Sequence, residues 1–578
     1  MKKALLTFIT EEQLGSEIYE AFEDIMDIRK QFVDVSEIKE GRITFEQEVI
    51  NILNIDGILD TNENVTITIE DLIKDMKKIE IIASRAIRFE KRANNYEFDE
   101  EDKKMRALAA SFLLFTMIEK KYENIKSLDQ ITEQVPFSVV QRIIEDSNST
   151  IRVAMEKNGI TYAGILHSTK IESNFMGVRK IRIMIETIMV GKNNELVKSY
   201  VVRVIPAIPV IKDLSEIGLT VLTDEDIERF TTRGRKTIEL LTTNAYKKFS
   251  DFGLVRGFFG SLDNKYVNSR IIIDAEMLER ENNDLYQTFF NEDGRPKNNL
   301  DVEELIWSMQ PDIPAYSLND KIWFITDVDK VQDIQFNDNA FEELKIKQDY
   351  KDLLLCMINN EIPSFDPISD KGQGKIFLLN GNPGIGKTLT AEAMAEYLHK
   401  PLYFVSVGEL GTETEELEQA LVKIINLTKK WNAIVLIDEV DVFAQKRNAT
   451  NLKNNAMTAV FLRMIERFEG LMFMTTNMSS TLDEAFVSRA TLVLDYKDLT
   501  CKVKKQIFEK CLETIKETGI TVDLSEKYLD KISTCKVNGR VIKNIMRLAY
   551  SLALKDKVLD SDKIDTVLGM YNVSYGEE

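Results

Sequence analysis

Two hydrophobic periods share this chain, and the places where one gives way to the other divide it. Residues 1 to about 155 scatter Ile and Leu among Glu and Lys with few Gly or Pro, which predicts mostly helix. From about 160 the period shortens: Ile181, Ile183 and Ile185 alternate with Arg182, Met184 and Glu186, and Gly191-Lys192-Asn193-Asn194 turns the chain into Tyr200-Val201-Val202-Arg203-Val204, the pattern of a hairpin. A helical stretch from about 224 to 250 leads to a strand at Arg270-Ile271-Ile272-Ile273-Asp274, and the polar run Asn291-Glu292-Asp293-Gly294-Arg295-Pro296 predicts a loop. Farther on, alternation is replaced by continuous apolar strands: Ile376 to Leu379, Leu402 to Val407, Ala433 to Ile437 and Leu471 to Thr476. Helical patterns separate them, first Ala391, Met394, Ala395 and Leu398, then Leu417 to Trp431 and Leu452 to Phe468. Strands that are apolar on both faces and alternate with helices predict a parallel sheet covered on each side. Beyond 499 strand signals nearly vanish, and Val503, Ile507, Phe508 and Cys511, then Val541, Ile545, Leu548 and Ala549, predict a separate helical lid.

The expected fold is therefore α/β: a parallel sheet with a C-terminal helical lid, preceded by a helical N-terminal region and a β-rich domain. Five segments are expected: 1–155, helical and without a legible function; 156–305, a β-rich α+β domain for partner or substrate binding; 306–350, a linker and strand; 351–498, the α/β domain; and 499–578, the lid.

Composition narrows the function classes. The chain has 578 residues, too many for one core, and its 44% hydrophobic and 29% charged content is that of a folded protein. Formal net charge is −20, and no dense Lys/Arg block with interleaved aromatics is present, which argues against nucleic acid as the primary partner. Cys356, Cys501, Cys511 and Cys535 lack C-x-x-C spacing, and His167 and His399 are far apart, so zinc and histidine catalysis recede together. The cysteine usage fits a reducing cytoplasm. Met1-Lys2-Lys3 opens only a short apolar stretch before Glu11-Glu12, and the run from Ala107 to Ile118 is too short to span a bilayer, so neither an export signal nor a membrane partner is expected.

The chemistry is concentrated between Gly381 and Thr388. Gly381-Asn382-Pro383-Gly384-Ile385-Gly386-Lys387-Thr388 is a complete Walker A phosphate loop, and it follows an apolar strand. Its glycines let successive backbone N–H groups turn around phosphates, Lys387 brings a point charge to the β- and γ-phosphates, and the Thr388 hydroxyl suits Mg²⁺. The strand Ala433 to Ile437 delivers Asp438 and Glu439 at its C-terminal end, a Walker B pattern. Ligands sit outside such strand ends in a parallel sheet, so Asp438 is placed to reach the Mg²⁺ shell and Glu439 to polarise an attacking water.

With these motifs the sequence resembles the AAA+ ATPases, in particular AAA proteins with a long N-terminal region found in fungi, bacteria and phages. The resemblance rests on Lys371-Gly372-Gln373-Gly374, the phosphate loop with Leu389-Thr390-Ala391-Glu392 behind it, Trp431-Asn432-Ala433 before Asp438-Glu439, and Asp483-Glu484-Ala485-Phe486 before Ser488-Arg489. It extends upstream through Arg233-Gly234-Arg235 and Tyr316 to Trp323. It implies ATP and Mg²⁺ as ligands, with Gly381 to Leu389 and Arg540 around the nucleotide and Thr388 and Asp438 around the metal. It implies three catalytic posts: Glu439 at the water, Asn477 as a sensor of the γ-phosphate, and Arg489 as an arginine finger given to the neighbouring subunit. Arg540 then corresponds to a lid arginine closing on the phosphates. A finger acting in trans implies a homo-oligomeric ring, a hexamer in this family.

Two features depart from the family. Met478 follows Asn477 where an arginine is common, and Arg489 has no close arginine neighbour. Val405 to Thr412 runs directly into a helix start capped by Thr412 and Glu415, with no aromatic-apolar-Gly pore loop. The expected function is hydrolysis of Mg-ATP in a ring that remodels an unidentified protein client held by the N-terminal half. The alternatives are an ATP-gated assembly scaffold or chaperone, a DNA-acting motor, and a small-molecule kinase.

Overall fold

The computed structural model describes residues 42–45, 65–68 and 122–575, apart from 123, 133, 148–149, 174–178, 192–194, 207, 209, 258–259, 291–301, 360–373, 445–451, 478–483 and 574. Most of the helix expected over 1–155 lies outside these residues, as do the loop at 291–296 and most of the turn at 191–194. Within the first segment the described residues include an antiparallel pair of strands, Arg42–Phe45 and Val65–Thr68, and a helix, Phe137–Asp146.

The chain forms two compact units. The first draws on the described residues within Met1–Thr242, Gln287–Ile313 and Asp327–Asp329. Its centre is a five-stranded antiparallel sheet of β1 (Arg152–Lys157), β2 (Ile160–Ser173), β3 (Arg179–Val190), β4 (Leu196–Pro206) and β5 (Leu219–Val221), in the order β4-β3-β2-β1-β5. Ile181, Ile183 and Ile185 are fully buried while Arg182 between them is exposed, so the period of two seen in the sequence is the period of burial. Helix α1 (Asp224–Thr242) belongs to this unit.

Here one expectation fails. The helix predicted to about 250 stops at Thr242; Asn244 adopts a left-handed φ of 49°, and Tyr246–Arg256 is a strand. An asparagine in that conformation ends a helix without the penalty a branched residue would carry. The strand, β6 (Tyr246–Arg256), pairs along its whole length with β7 (Leu262–Ile273), which extends the strand predicted around Arg270 by eight residues toward its N-terminus. With β8 (Asp312–Ser317) and β9 (Trp323–Asp327) they close a four-stranded barrel.

The second unit, Thr243–Tyr286, Pro314–Thr326 and Lys330–Glu578, carries the parallel sheet. In chain order it comprises β10 (Lys375–Asn380), helix α2 (Lys387–Tyr397), β11 (Leu402–Ser406), helix α3 (Thr414–Trp431), β12 (Ile434–Asp438), helix α4 (Leu452–Glu466), β13 (Leu471–Thr476) and β14 (Leu492–Asp495). The sheet order is β11-β12-β13-β10-β14, all parallel. β10 and β13 are buried almost end to end, which is why their sequences are apolar without alternation. Helix α3 starts one residue later than the Thr412 and Glu415 spacing predicts: the Glu416 carboxylate accepts the N–H groups of Thr412 at 3.1 Å and Glu413 at 3.4 Å.

Within this unit the barrel residues pack on the C-terminal ends of helices α2 and α3. Asp274, fully buried, accepts from Trp431 Nε1 at 2.9 Å and Lys430 Nζ at 2.7 Å while capping its own helix through Met277 N at 3.0 Å. Arg270 on β7 pairs with Glu396 near the end of α2 at 2.6 Å. The ring of Tyr316 lies 5.0 Å from that of Trp323 and 5.2 Å from that of Trp431, and its hydroxyl is 3.2 Å from that of Tyr403. After β14 the chain enters the lid, with α5 (Cys501–Glu517) and α6 (Gly539–Ala553) around a core that includes Phe508, Leu512, Ile542, Ile545 and Ala549. Two three-residue strands, Thr521–Asp523 and Val558–Asp560, pair parallel inside it.

Candidate active site

Strand register brings the motifs to one edge of the sheet. Asn380 is level with Thr476, and Ile437 with Met474, so the loop after β10, the carboxylates after β12 and the polar end of β13 emerge side by side. In the loop, Gly384 and Gly386 hold φ of 78° and 105°, a region that side chains other than glycine adopt only with strain. Ile385 is buried and anchors the loop, whereas Leu389, in the first turn of α2, is exposed. Asn382 Nδ2 donates to Asp498 Oδ1 at 2.7 Å.

Helix α2 begins at Gly386 with no side-chain cap and no acidic residue in its first turn. Its leading N–H groups and the positive end of its dipole are therefore not taken up by a capping side chain, and a helix N-terminus left in this state is suited to phosphate. Lys387, mostly buried, donates to Gly381 O at 2.5 Å, Asn382 O at 2.9 Å and Asn477 Oδ1 at 2.7 Å. Burial lowers its pKa, opposed by the nearby charges of Asp438, Asp441 and Glu439 and reinforced by Arg540. Lys387 and Asn477, remote in sequence, are thus in direct contact.

The second motif is tied to the first through hydroxyls. Thr388 Oγ1 donates to Asp438 Oδ1 at 3.2 Å. Thr475 Oγ1 also donates to Asp438 Oδ1 and accepts the Glu439 N–H at 3.0 Å. Thr476 Oγ1 donates to Asp441 Oδ1, which also accepts the Asn477 N–H at 3.0 Å. Glu439 sits at φ 57°, left-handed for a residue with a side chain, and is exposed. Among the described residues its carboxylate has no hydrogen-bond partner.

Arg540 is exposed in the first turn of α6, whose N-cap is Asn538. Arg489 stands apart from this cluster: its guanidinium is held by Glu466 Oε1 at 2.7 Å and the Ala485 carbonyl at 3.0 Å, and its Nε is buried without a partner. The structure therefore gathers Gly381 to Thr388, Asp438, Glu439 and Asn477 in one place and leaves Arg489 outside it.

These residues fit Mg²⁺ with a nucleoside triphosphate. Among the described residues there is no group of three or more His, Cys, Asp and Glu side chains able to hold a metal alone. Mg²⁺ characteristically takes one or two carboxylates and completes its shell with phosphate oxygens and water, so Thr388 with Asp438 suffices.

Sequence reasoning gave Thr475 and Asp441 no role. Both act through partners 35 to 37 positions away, and only strand register reveals them. The only signal in the sequence is the Thr-Thr-Asn run that ends β13. Thr475→Val keeps the shape of the side chain and leaves the Glu439 N–H without its acceptor; denaturant titration is expected to show a loss of about 1–3 kcal/mol.

The AAA model, "ATPase family associated with various cellular activities (AAA)", matches residues 377–497. A protein of Methanothermobacter marburgensis described as a 26S proteasome regulatory subunit homolog is 27% identical over 190 residues, 31% of this chain and 50% of that protein. The mitochondrial Lon protease homolog of Drosophila melanogaster is 25% identical over 240 residues, 34% of this chain and 23% of that protein. The match thus spans half the length of the first relative and less of the second. A crystal structure of the FIGL-1 AAA domain in complex with ADP aligns at 19% identity and a TM-score of 0.28, over 34% of this chain and 71% of that one. Motifs, sheet order and family match agree: over residues 377–497 this chain carries an ATPase domain of the AAA family.

Proposed function

We propose that this protein binds and hydrolyses Mg-ATP in a homo-oligomeric ring, hexameric as in its family, and uses motion of the lid against the sheet to remodel a protein partner held by the N-terminal half. The observation that carries the proposal is the continuous set of hydrogen bonds joining the phosphate loop to both Walker B residues and to Asn477. In such a set the groups that bind phosphate and the groups that act on water shift together. The relatives' names, a proteasome regulatory subunit homolog and a protease, support a protein client.

Each residue then has a task. Lys387, the α2 N-terminus and the loop amides hold the β- and γ-phosphates. Thr388 and Asp438 would hold Mg²⁺, which would supply neutralisation of phosphate charge. Glu439 takes up the proton of the attacking water, with its backbone fixed by Thr475 so that the carboxylate projects into solvent-accessible space. Asn477, held by Asp441 at its N–H and by Lys387 at its side chain, orients the water or γ-phosphate. Arg540 closes over the phosphates from the lid, and Arg489 serves the adjoining subunit.

Calorimetry paired with light scattering tests the proposal on the full chain. Mg-ATP is expected to give a saturable binding heat and to move the mass from smaller species to a ring of identical chains. A chain that gives no heat with Mg-ATP would sink the nucleotide assignment; one that binds and hydrolyses ATP as a monomer would leave that assignment standing and remove the ring.

A further inference from the structure

The lid touches the phosphate loop through Asn538, two residues before Arg540. Its side chain is divided between two tasks. Its Oδ1 accepts the Val541 N–H at 2.9 Å and so caps α6. Its Nδ2 donates to the Pro383 carbonyl at 3.1 Å. Beside it the Gly539 N–H donates to the Gly384 carbonyl at 2.9 Å. Two successive loop carbonyls are thus held by two successive lid residues. The approach is close enough that a Cβ on Gly384 would lie 2.6 Å from Asn538 Cγ. One turn along, Glu392 on α2 comes near enough to Lys543 on α6 for that charge to act on its carboxyl, although burial dominates and pushes Glu392 upward.

A trans peptide plane points its N–H opposite to its C=O. Holding the Pro383 and Gly384 carbonyls toward the lid therefore aims the Gly384 and Ile385 N–H groups away from it. We propose that Asn538 is a positioning residue for nucleotide binding: its side-chain amide fixes the Pro383–Gly384 peptide in the orientation that presents N–H groups to the phosphates, so that seating of the lid and competence of the loop are one event. The proposal rests on the nucleotide assignment above. It concerns a contact to the loop itself, distinct from the reach of Arg540 toward the phosphates.

The double task makes the proposal separable from a structural one. Serine and aspartate are as good at an N-cap as asparagine, yet neither offers the amide donor. In the full chain, Asn538→Ser and Asn538→Asp are expected to keep the melting temperature of the nucleotide-free protein. Both are expected to weaken binding of fluorescent Mg-ATP by about five- to tenfold, the scale of one hydrogen bond, with the loss falling on KM more than on kcat. Asn538→Ala, which removes the cap as well, is expected to lower the melting temperature in addition. If Ser and Asp variants bind as the unaltered protein does, the positioning role is wrong and the ATPase proposal stands. If only the Asp variant weakens, repulsion by its carboxylate is the cause and the positioning role is equally wrong. An unaltered protein that binds no Mg-ATP overturns both proposals.

Discussion

Arg489→Ala is expected to lower steady-state ATP turnover by about 10³-fold or more while leaving the affinity for Mg-ATP nearly unchanged. The magnitude follows from what a trans guanidinium does: it neutralises charge that develops only in the transition state, so its removal falls on kcat. In its own subunit Arg489 meets Glu466 and the Ala485 carbonyl, not the phosphate loop, so a cis role has no geometric support. The decisive measurement is mixing. Arg489→Ala chains retain Glu439 and Glu439→Gln chains retain Arg489, so mixed rings contain interfaces with one intact partner from each. Turnover is expected to reappear on mixing two inactive preparations. If subunits demonstrably exchange and turnover stays absent, or if Arg489→Ala hydrolyses ATP at the native rate, the finger assignment is lost.

The second large effect belongs to Glu439. Glu439→Gln is expected to bind Mg-ATP normally and to slow hydrolysis by about 10²- to 10⁴-fold, the usual weight of a positioned general base, as read by single-turnover phosphate release beside calorimetry. Its backbone argues for this role as much as its place in the motif. A left-handed φ at a residue with a side chain costs about 1–3 kcal/mol and persists only where its surroundings impose it. Here the Thr475 hydroxyl fixes the Glu439 N–H while the Glu439 side chain stays exposed. Native turnover in Glu439→Gln would assign the proton to another group. A trapped ATP state would also hold a client long enough for it to be isolated and identified.

Legibility in the sequence followed a simple physical divide. The phosphate loop, the Asp438-Glu439 pair and the helix starting at Lys387 could be read because each is a contiguous string whose local chemistry already specifies its conformation. Strands β10, β12 and β13 could be read because burial on two faces leaves an unbroken apolar run, whereas β14, a four-residue strand only partly buried, is absent from the expectation. Thr475, Asp441 and Glu466 could not, since a threonine or a carboxylate acquires its meaning only from the residue that strand order and helix packing set opposite it. The first half of the barrel strand, Tyr246 to Ser250, falls within the expected helix for a related reason. Lys247, Lys248, Ser250 and Asp251 give it little β-branched character, and its strand state is imposed by eleven paired positions on β7.

The contacts around Asp274 and Arg270 bear on how this protein can be dissected. A fragment beginning at the AAA match would strip Trp431 and Lys430 of the carboxylate that satisfies them and Glu396 of its arginine. Such a piece would present raw aromatic surface where the intact chain presents a barrel. The smallest portable unit is therefore discontinuous in the gene: its foundations are written ahead of the phosphate loop, and a transplant that omits them leaves the parallel sheet without its mount.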